Sequence, residues 1–252
     1  MVKCRMVRVD HEHGADIVEK QETQTVTMLA VSDLVEPHVY QPSVAEWLGP
    51  VDLIVSCGDL PPQYLNFLAD AFNVSLYHVL GNHCFGVHDP AEEQVTHDFM
   101  GATDLHGRLE CFVKHGSEEP LLLAGLEGSP VYNYGPHQYS EVEMERKLVK
   151  LVPGLLRAKV TKGRYMDVFV ARSPPRGIHD LPDRAHKGFK SFLPFLKRFH
   201  PTLMLHGHTH RYDPTQPTRT RYGDSTIINV YGHAVLQLRY SPEDRKWLLA
   251  SG

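Results

Sequence analysis

The chain is predicted to fold as an α/β protein, and three observations carry that prediction. Strand-like and helix-like apolar patterns alternate along its 252 residues, which favours a layered α/β architecture over an all-β one. Four apolar runs end in polar residues able to do chemistry. They are Leu29-Ala30-Val31 before Ser32-Asp33, Leu53-Ile54-Val55 before Gly58-Asp59, Leu76 to Leu80 before Gly81-Asn82-His83, and Leu203-Met204-Leu205 before Gly207-His208-Thr209-His210. Open α/β sheets bind ligands outside the carboxyl ends of their strands, so these tails are expected to face one crevice. Length is the third observation, because a chain of this size buries about three quarters of its unfolded surface.

The elements follow in order. Residues 1–24 are polar and aperiodic, and stand as an N-terminal extension of unknown role before a single domain over residues 25–252. Ser43-Val44-Ala45-Glu46 has capping-box spacing and predicts a short helix after the first strand. Tyr64, Leu65, Phe67, Leu68, Ala71 and Phe72 recur at helical period ahead of a strand over Val74 to Val79. Ser140-Glu141-Val142-Glu143 opens a second capped helix through Leu151, with Pro153-Gly154 as its stop. Met166 to Val170 is apolar, β-branched and aromatic enough for a fully buried strand. A helix from about Ala185 to Phe199 is expected to kink at Pro194. Asp213 to Thr218 reads as a surface loop, and Ser225 to Val230 and Ala234 to Tyr240 as closing strands.

Composition narrows the class of function. A formal net charge of −4 gives no field for gripping nucleic acid, and no basic-aromatic stripe contradicts that. Cys4, Cys57, Cys84 and Cys111 lack Cys-x-x-Cys spacing, as isolated thiols in a reducing compartment do. No apolar run approaches membrane-spanning length, and the opening residues lack a signal-peptide core. A cytoplasmic protein with no membrane partner is therefore expected.

The ordered set Ser32-Asp33, Gly58-Asp59, Gly81-Asn82-His83, Pro174-Pro175-Arg176-Gly177 and Gly207-His208-Thr209-His210 resembles the metallophosphoesterase (calcineurin-like phosphoesterase) superfamily. Longer blocks, among them Cys57 to Pro62, Gly125-Leu126-Glu127-Gly128-Ser129 and Gly177-Ile178-His179-Asp180, are similar to a bacterial branch of it. The resemblance implies two facing mixed β-sheets flanked by helices, a four-layer αββα sandwich with metals at the strand ends. It implies Asp33 on a first metal, Asp59 bridging two, Asn82 and His208 on the second, and His210 returning to the first. A carboxylate shared by two cations offsets their repulsion, and the pair polarises a phosphate and generates hydroxide near neutral pH. His83 is implied beside the substrate, as the acid that protonates the leaving oxygen. Taken singly, each residue has a plainer reading: Asp33 and Asp59 suit Asx turns after strands, and His78, His88 and His206 suit structural roles. His179, Asp180 and His186 stand between the two readings.

Departures from the pattern matter as much as matches. Val35 stands where the first motif of the family has a metal-binding His, and Cys84 where an acidic residue usually follows Gly-Asn-His. Arg172 stands where the motif before the diproline carries another His ligand, and a guanidinium cannot coordinate a metal. The expected function is hydrolysis of a phosphomonoester or phosphodiester by metal-activated water, using one or two divalent ions (manganese, iron or zinc). In that expectation Arg172 replaces the second cation beside Asn82 and His208 and grips a phosphate oxygen, as guanidinium does well. The alternative is a metal-poor, non-catalytic protein that binds a phosphorylated ligand or a partner.

Overall fold

The structure, a computed structural model, describes residues 24–83, 101–210 and 215–250. Most of the N-terminal extension, Cys4, Cys84, His88 and the start of the 213–218 loop lie outside the described residues. In chain order the first elements are β1 (Thr25–Ser32), α1 (Val44–Leu48), β2 (Leu53–Ser56), α2 (Pro62–Phe72), β3 (Ser75–His78) and β4 (Thr103–Asp104). Then come β5 (Leu109–Phe112), β6 (Leu121–Leu126), β7 (Ser129–Pro130), β8 (Gln138–Tyr139), α3 (Glu141–Lys162) and β9 (Val168–Ala171). The last are α4 (Phe192–Phe199), β10 (Leu203–His206), β11 (Arg219–Tyr222), β12 (Ser225–Asn229), β13 (Gly232–Ser241) and β14 (Lys246–Leu249).

Two six-stranded mixed sheets result, ordered β14-β13-β1-β2-β3-β4 and β11-β12-β10-β9-β6-β5, with β7 and β8 paired separately. Alternation along each strand sets which layer a side chain joins. Val26, Met28 and Ala30 of β1 pack with Val168 and Val170 of β9 and Leu203 and Leu205 of β10 in the core between the sheets. Leu29 and Val31 turn the other way, onto Tyr64, Leu65 and Leu68 of α2. Phe169, Ala171 and Met204 likewise leave the second sheet to meet α3 and α4. Central strands are thus buried on both faces, which is why their sequences are continuous apolar runs. Helix, sheet, sheet and helix form the four layers that the resemblance implies.

Three local expectations are corrected. Helix α3 does not stop at Pro153 but runs to Lys162 and ends on Gly163 in the left-handed region. An interior proline costs about 3 kcal/mol, and the buried stripe Leu148, Leu151, Leu155 and Ala158, continuous across it, offsets that. The Ser140 capping box forms in full, whereas Ser43 makes no side-chain cap at α1. The helix expected from Ala185 begins only at Phe192, so Pro194 falls in its first turn, where its missing N–H has no intrahelical partner to lose. Residues 185–191 are needed elsewhere: Phe189 bridges back to Pro175 of the diproline.

Parallel pairing of β1 with β2, β2 with β3, β9 with β10 and β10 with β12 points the carboxyl ends of these strands the same way within each sheet. The tails of β1, β2 and β3 therefore emerge along one edge of the first sheet, and the His208 N–H, 3.0 Å from Asp33 Oδ2, brings the β10 tail of the second sheet to it.

Candidate metal centre

Asp33, Asp59 and His208 follow β1, β2 and β10, with φ of 64°, 55° and 68°. The left-handed region is sparsely used by non-glycine residues, and such strain persists where surroundings over-determine it. It turns each side chain back over the strand ends. Neighbouring glycines make room for that turn. A Cβ at Gly81 would fall inside the Asp59 carboxylate and lie 2.6 Å from the Asp59 backbone nitrogen. Gly81→Ala is accordingly expected to lose at least 1–3 kcal/mol in urea unfolding, the usual toll of overpacking. A loss under about 0.5 kcal/mol would contradict this close approach.

Arg172 leaves the end of β9, and its side chain is only 1% exposed. Its Nη1 lies 2.7 Å from Asp33 Oδ1, and its Nη2 forms a short ion pair with Asp59 Oδ2. Nε donates to Asn82 Oδ1 at 3.2 Å, and Nη1 to Ser32 Oγ at 3.4 Å. Nη2 also faces His208 Nδ1 at 3.4 Å. His208 Nε2 is 2.7 Å from the Ala185 carbonyl, which can only accept, so Nε2 carries the proton and Nδ1 presents its lone pair to the guanidinium. The remaining ligand atoms are taken too. Asp33 Oδ2 accepts from Ser32 Oγ and the His208 backbone N–H, at 2.7 and 3.0 Å. Asp59 Oδ1 accepts from the His83 N–H at 2.9 Å, and Asn82 Nδ2 donates to Tyr132 Oη at 3.0 Å.

The electrostatics follow from one cation between two buried carboxylates. Burial works to raise the Asp33 pKa, yet the Arg172 charge and the hydrogen bonds from Ser32 and His208 hold it below the ordinary value. Asp59 goes the other way: burial, helped by the Asp33 charge, lifts its carboxyl despite Arg172 and the His83 N–H. Burial, with Arg172 next, pushes His208 down to about 3, so its ring is neutral. His206, buried beside His179, is likewise pushed down to about 3.

Of the expected site residues, Asp33, Asp59, Asn82, His208 and Arg172 come together in one knot. His210 stands at its edge, Nε2 3.8 Å from Asp33 Oδ1, with its side chain 38% exposed. His83 is joined to the knot through its backbone, and it is exposed. His179 hydrogen-bonds the buried His206 and Thr220, and Asp180 accepts from the Gly177 and Gly188 N–H groups, so both shape the loop. The His186 ring lies 5.4 Å from that of His208, on the rim.

Sequence reasoning missed two contributors. A backbone carbonyl from Ala185 fixes which nitrogen of His208 is protonated, and no residue pattern signals that. Glu127 gathers Tyr139 Oη at 2.5 Å and His137 Nδ1 at 3.3 Å beside the knot. Burial opposes it, but the His137 and Tyr139 hydrogen bonds hold the Glu127 pKa down to about 2, and Glu127 in turn raises that of His137. The Gly-Leu-Glu-Gly-Ser block is the sequence signal that pointed here.

In the two-ion set that the resemblance implies, Asp59, Asn82 and His208 would be needed to hold the ions. All three are engaged by Arg172, which also takes Asp33, a ligand that the expectation of a single remaining ion had left to the metal. The residues present do not fit the two-ion set with the guanidinium in this position.

Residues 26–212 match the family model described as calcineurin-like phosphoesterase. No curated protein matches the sequence. One solved structure superposes with a TM-score of 0.52 at 14% identity, covering 90% of this chain and 99% of that one. TT1561 of Thermus thermophilus gives 0.50 at 14% identity, with the same 90% and 99% coverage. GAP50, the anchor in the inner membrane complex of Plasmodium, gives 0.47 at 13% identity, covering 90% of each chain. At such identities the likeness to TT1561 speaks for the shared fold alone.

Proposed function

The chain belongs to the calcineurin-like phosphoesterase family, which generally carries out metal-dependent phosphoester hydrolysis, and we propose that this member recognises a phosphorylated ligand or partner without hydrolysing it. One observation carries the reading: the Arg172 guanidinium fills the ligand cradle and contacts Asp33, Asp59, Asn82 and His208 together. A dication brought beside Arg172 meets the repulsion of the guanidinium and finds Asp59, Asn82 and His208 engaged, while Asp33 Oδ1 is held by its ion pair with Arg172 and makes no hydrogen bond. Removing metal ions from the scheme removes the activated hydroxide that hydrolysis in this family depends on. Groups able to meet a phosphate stand around the knot: the exposed His83 ring, the Tyr132 hydroxyl, and His137 with its raised pKa.

A second reading, a hydrolase with one metal ion, is favoured by the 3.8 Å approach of His210 Nε2 to Asp33 Oδ1. His83 would then be its leaving-group acid. Turnover of an aryl phosphodiester with added Mn²⁺ decides between them, measured on the unmodified protein and on Arg172→His. The unmodified protein is expected to show no turnover above the uncatalysed rate, while Arg172→His binds one further ion per chain. Chelator-sensitive turnover in the unmodified protein, abolished by His210→Ala, would establish the hydrolase instead.

A further inference from the structure

A second group of metal-grade side chains lies outside the knot. Glu36, His38 and His233 bring one ligand atom each within 4.8 Å of one another. Glu36 Oε2 is 2.5 Å from His233 Nδ1, and Oε1 is 3.7 Å from His38 Nε2. We propose that these three residues form a mononuclear site for a late first-row divalent ion, Zn²⁺ above all, independent of the Arg172 centre and of the function proposed for it.

The local fold builds the cluster. Val39 and Tyr40 N–H groups donate to the Glu36 carbonyl at 2.9 and 3.0 Å, closing a turn that carries Glu36 and His38 toward β13. Gly232, at φ +86°, opens β13, and a Cβ there would stand 2.6 Å from Glu36 Oε2. Glycine is what lets the carboxylate lie beside His233. Trp47 of α1 covers the two imidazoles, its ring 5.5 Å from His38 and 5.9 Å from His233. A simple Glu36–His233 ion pair accounts for two members but not for His38, which meets the other carboxylate oxygen.

The donor set fits the ion. Zinc takes His nitrogen and Glu oxygen at about 2.0–2.2 Å in a tetrahedron, so its ligand atoms lie roughly 3.3–3.5 Å apart, which these spacings bracket. Two imidazoles with one carboxylate select Zn²⁺, Ni²⁺ or Cu²⁺ over Mg²⁺ or Ca²⁺. The Glu36 and His233 side chains are 18% and 20% exposed, and His38 is 57% exposed, leaving an entry path and a fourth position for water. An ion here would pin the 33–40 loop to β13 and α1, on the same loop that carries Asp33.

Calorimetric titration of the full chain with Zn²⁺ should show one ion per chain. Glu36→Gln and His233→Ala should each weaken it by at least about 100-fold, beyond the 10–100-fold that outer partners of a ligand carry. His200→Ala, at an exposed histidine paired with Asp224 far from the cluster in sequence, should leave it unchanged. Trp47 supplies a readout that needs no variant: Cu²⁺ or Ni²⁺ at the cluster should quench its emission, while the buried Trp247 stays bright. Trp47→Phe should abolish the quenching and keep the binding. Zinc affinity untouched by Glu36→Gln and His233→Ala, an ion lost on His210→Ala instead, or no quenching at saturating Cu²⁺ would each overturn the assignment. Failure here would leave the reading of the Arg172 knot standing, because that reading is tested by Mn²⁺-dependent turnover.

Discussion

Arg172→Ala is expected to destabilise the protein by about 3–5 kcal/mol, the range for breaking a buried ion pair by removing one partner. Asp33, Arg172 and Asp59 have side chains 1%, 1% and 5% exposed, so water cannot replace the lost guanidinium cheaply. Two carboxylates would be left facing each other with no cation between them. The same variant should acquire a metal dependence that the parent lacks, since Asp33, Asp59, Asn82 and His208 become free to bind an ion. Measured in a Glu36→Gln background with Mn²⁺, unfolding of Arg172→Ala should be stabilised by about 2.7 kcal/mol at 100 times the dissociation constant. The Arg172 parent should not respond. Urea melts with and without Mn²⁺ check both halves, and a variant that loses less than 1 kcal/mol and ignores Mn²⁺ would remove Arg172 from its central role.

Acid should unfold the protein unusually early, through its buried neutral histidines. His206 and His208 are pushed down to about 3 in the folded state, first by burial. An unfolded histidine titrates near 6.5. Between those values the unfolded chain binds more protons, so stability rises with pH and is lost as pH falls below about 6.5. Between pH 7 and pH 5 each residue should remove about 2 kcal/mol by this linkage. Asp59 and Asp167, both raised in the fold, oppose the trend, and His179, pushed down to about 4 by burial, adds to it. Asp33, lowered in the fold, supplies stability that is lost only below the unfolded aspartate range, outside this window. Urea unfolding at pH 7 and pH 5 measures the slope, and His206→Asn should remove about 2 kcal/mol of the difference between the two. A pH-independent midpoint across that range would contradict the burial of these rings.

Much of the architecture was legible because burial writes itself into strands. Apolar runs such as Val168 to Ala171 and Leu203 to Leu205 fill both faces of central strands, and no other arrangement suits them. Short edge strands were not visible: Arg219 to Tyr222 alternates charged and polar residues and pairs only on one side, so periodicity carries little signal there. Pro153 misled for a physical reason, since a local breaker was overridden by a stripe of tertiary contacts. In the site, residue types pointed to Asp33, Asp59, Asn82 and His208, and Arg172 announced itself as a permanent cation in a ligand's place. How far its side chain reaches was not legible. That depends on the backbone turns at Asp33 and Asp59, which bring both carboxylates within reach of one guanidinium. Glu36, His38 and His233 escaped notice because the last of them comes from the other end of the chain, and only pairing of β1 with β13 unites them.

That pairing also orders events in time. Thr25 at the start of β1 is matched to Arg239, and Ser32 at its end to Gly232, so the first sheet joins the earliest described strand to one of the latest. Contacts of such long sequence separation slow folding, because a large loop must close before it yields any gain. During synthesis the unit formed by β1, β2 and β3 would wait with one edge of β1 bare until β13 emerged. Exposed strand edges of this kind are where nascent chains stick to one another. The β9-β10-β12 unit, contiguous late in the chain, can assemble with far shorter closures. A ribosome-stalled chain ending before Gly232 should therefore present an unpaired β1 to chaperones, and release of the last strands should be the step that ends that engagement.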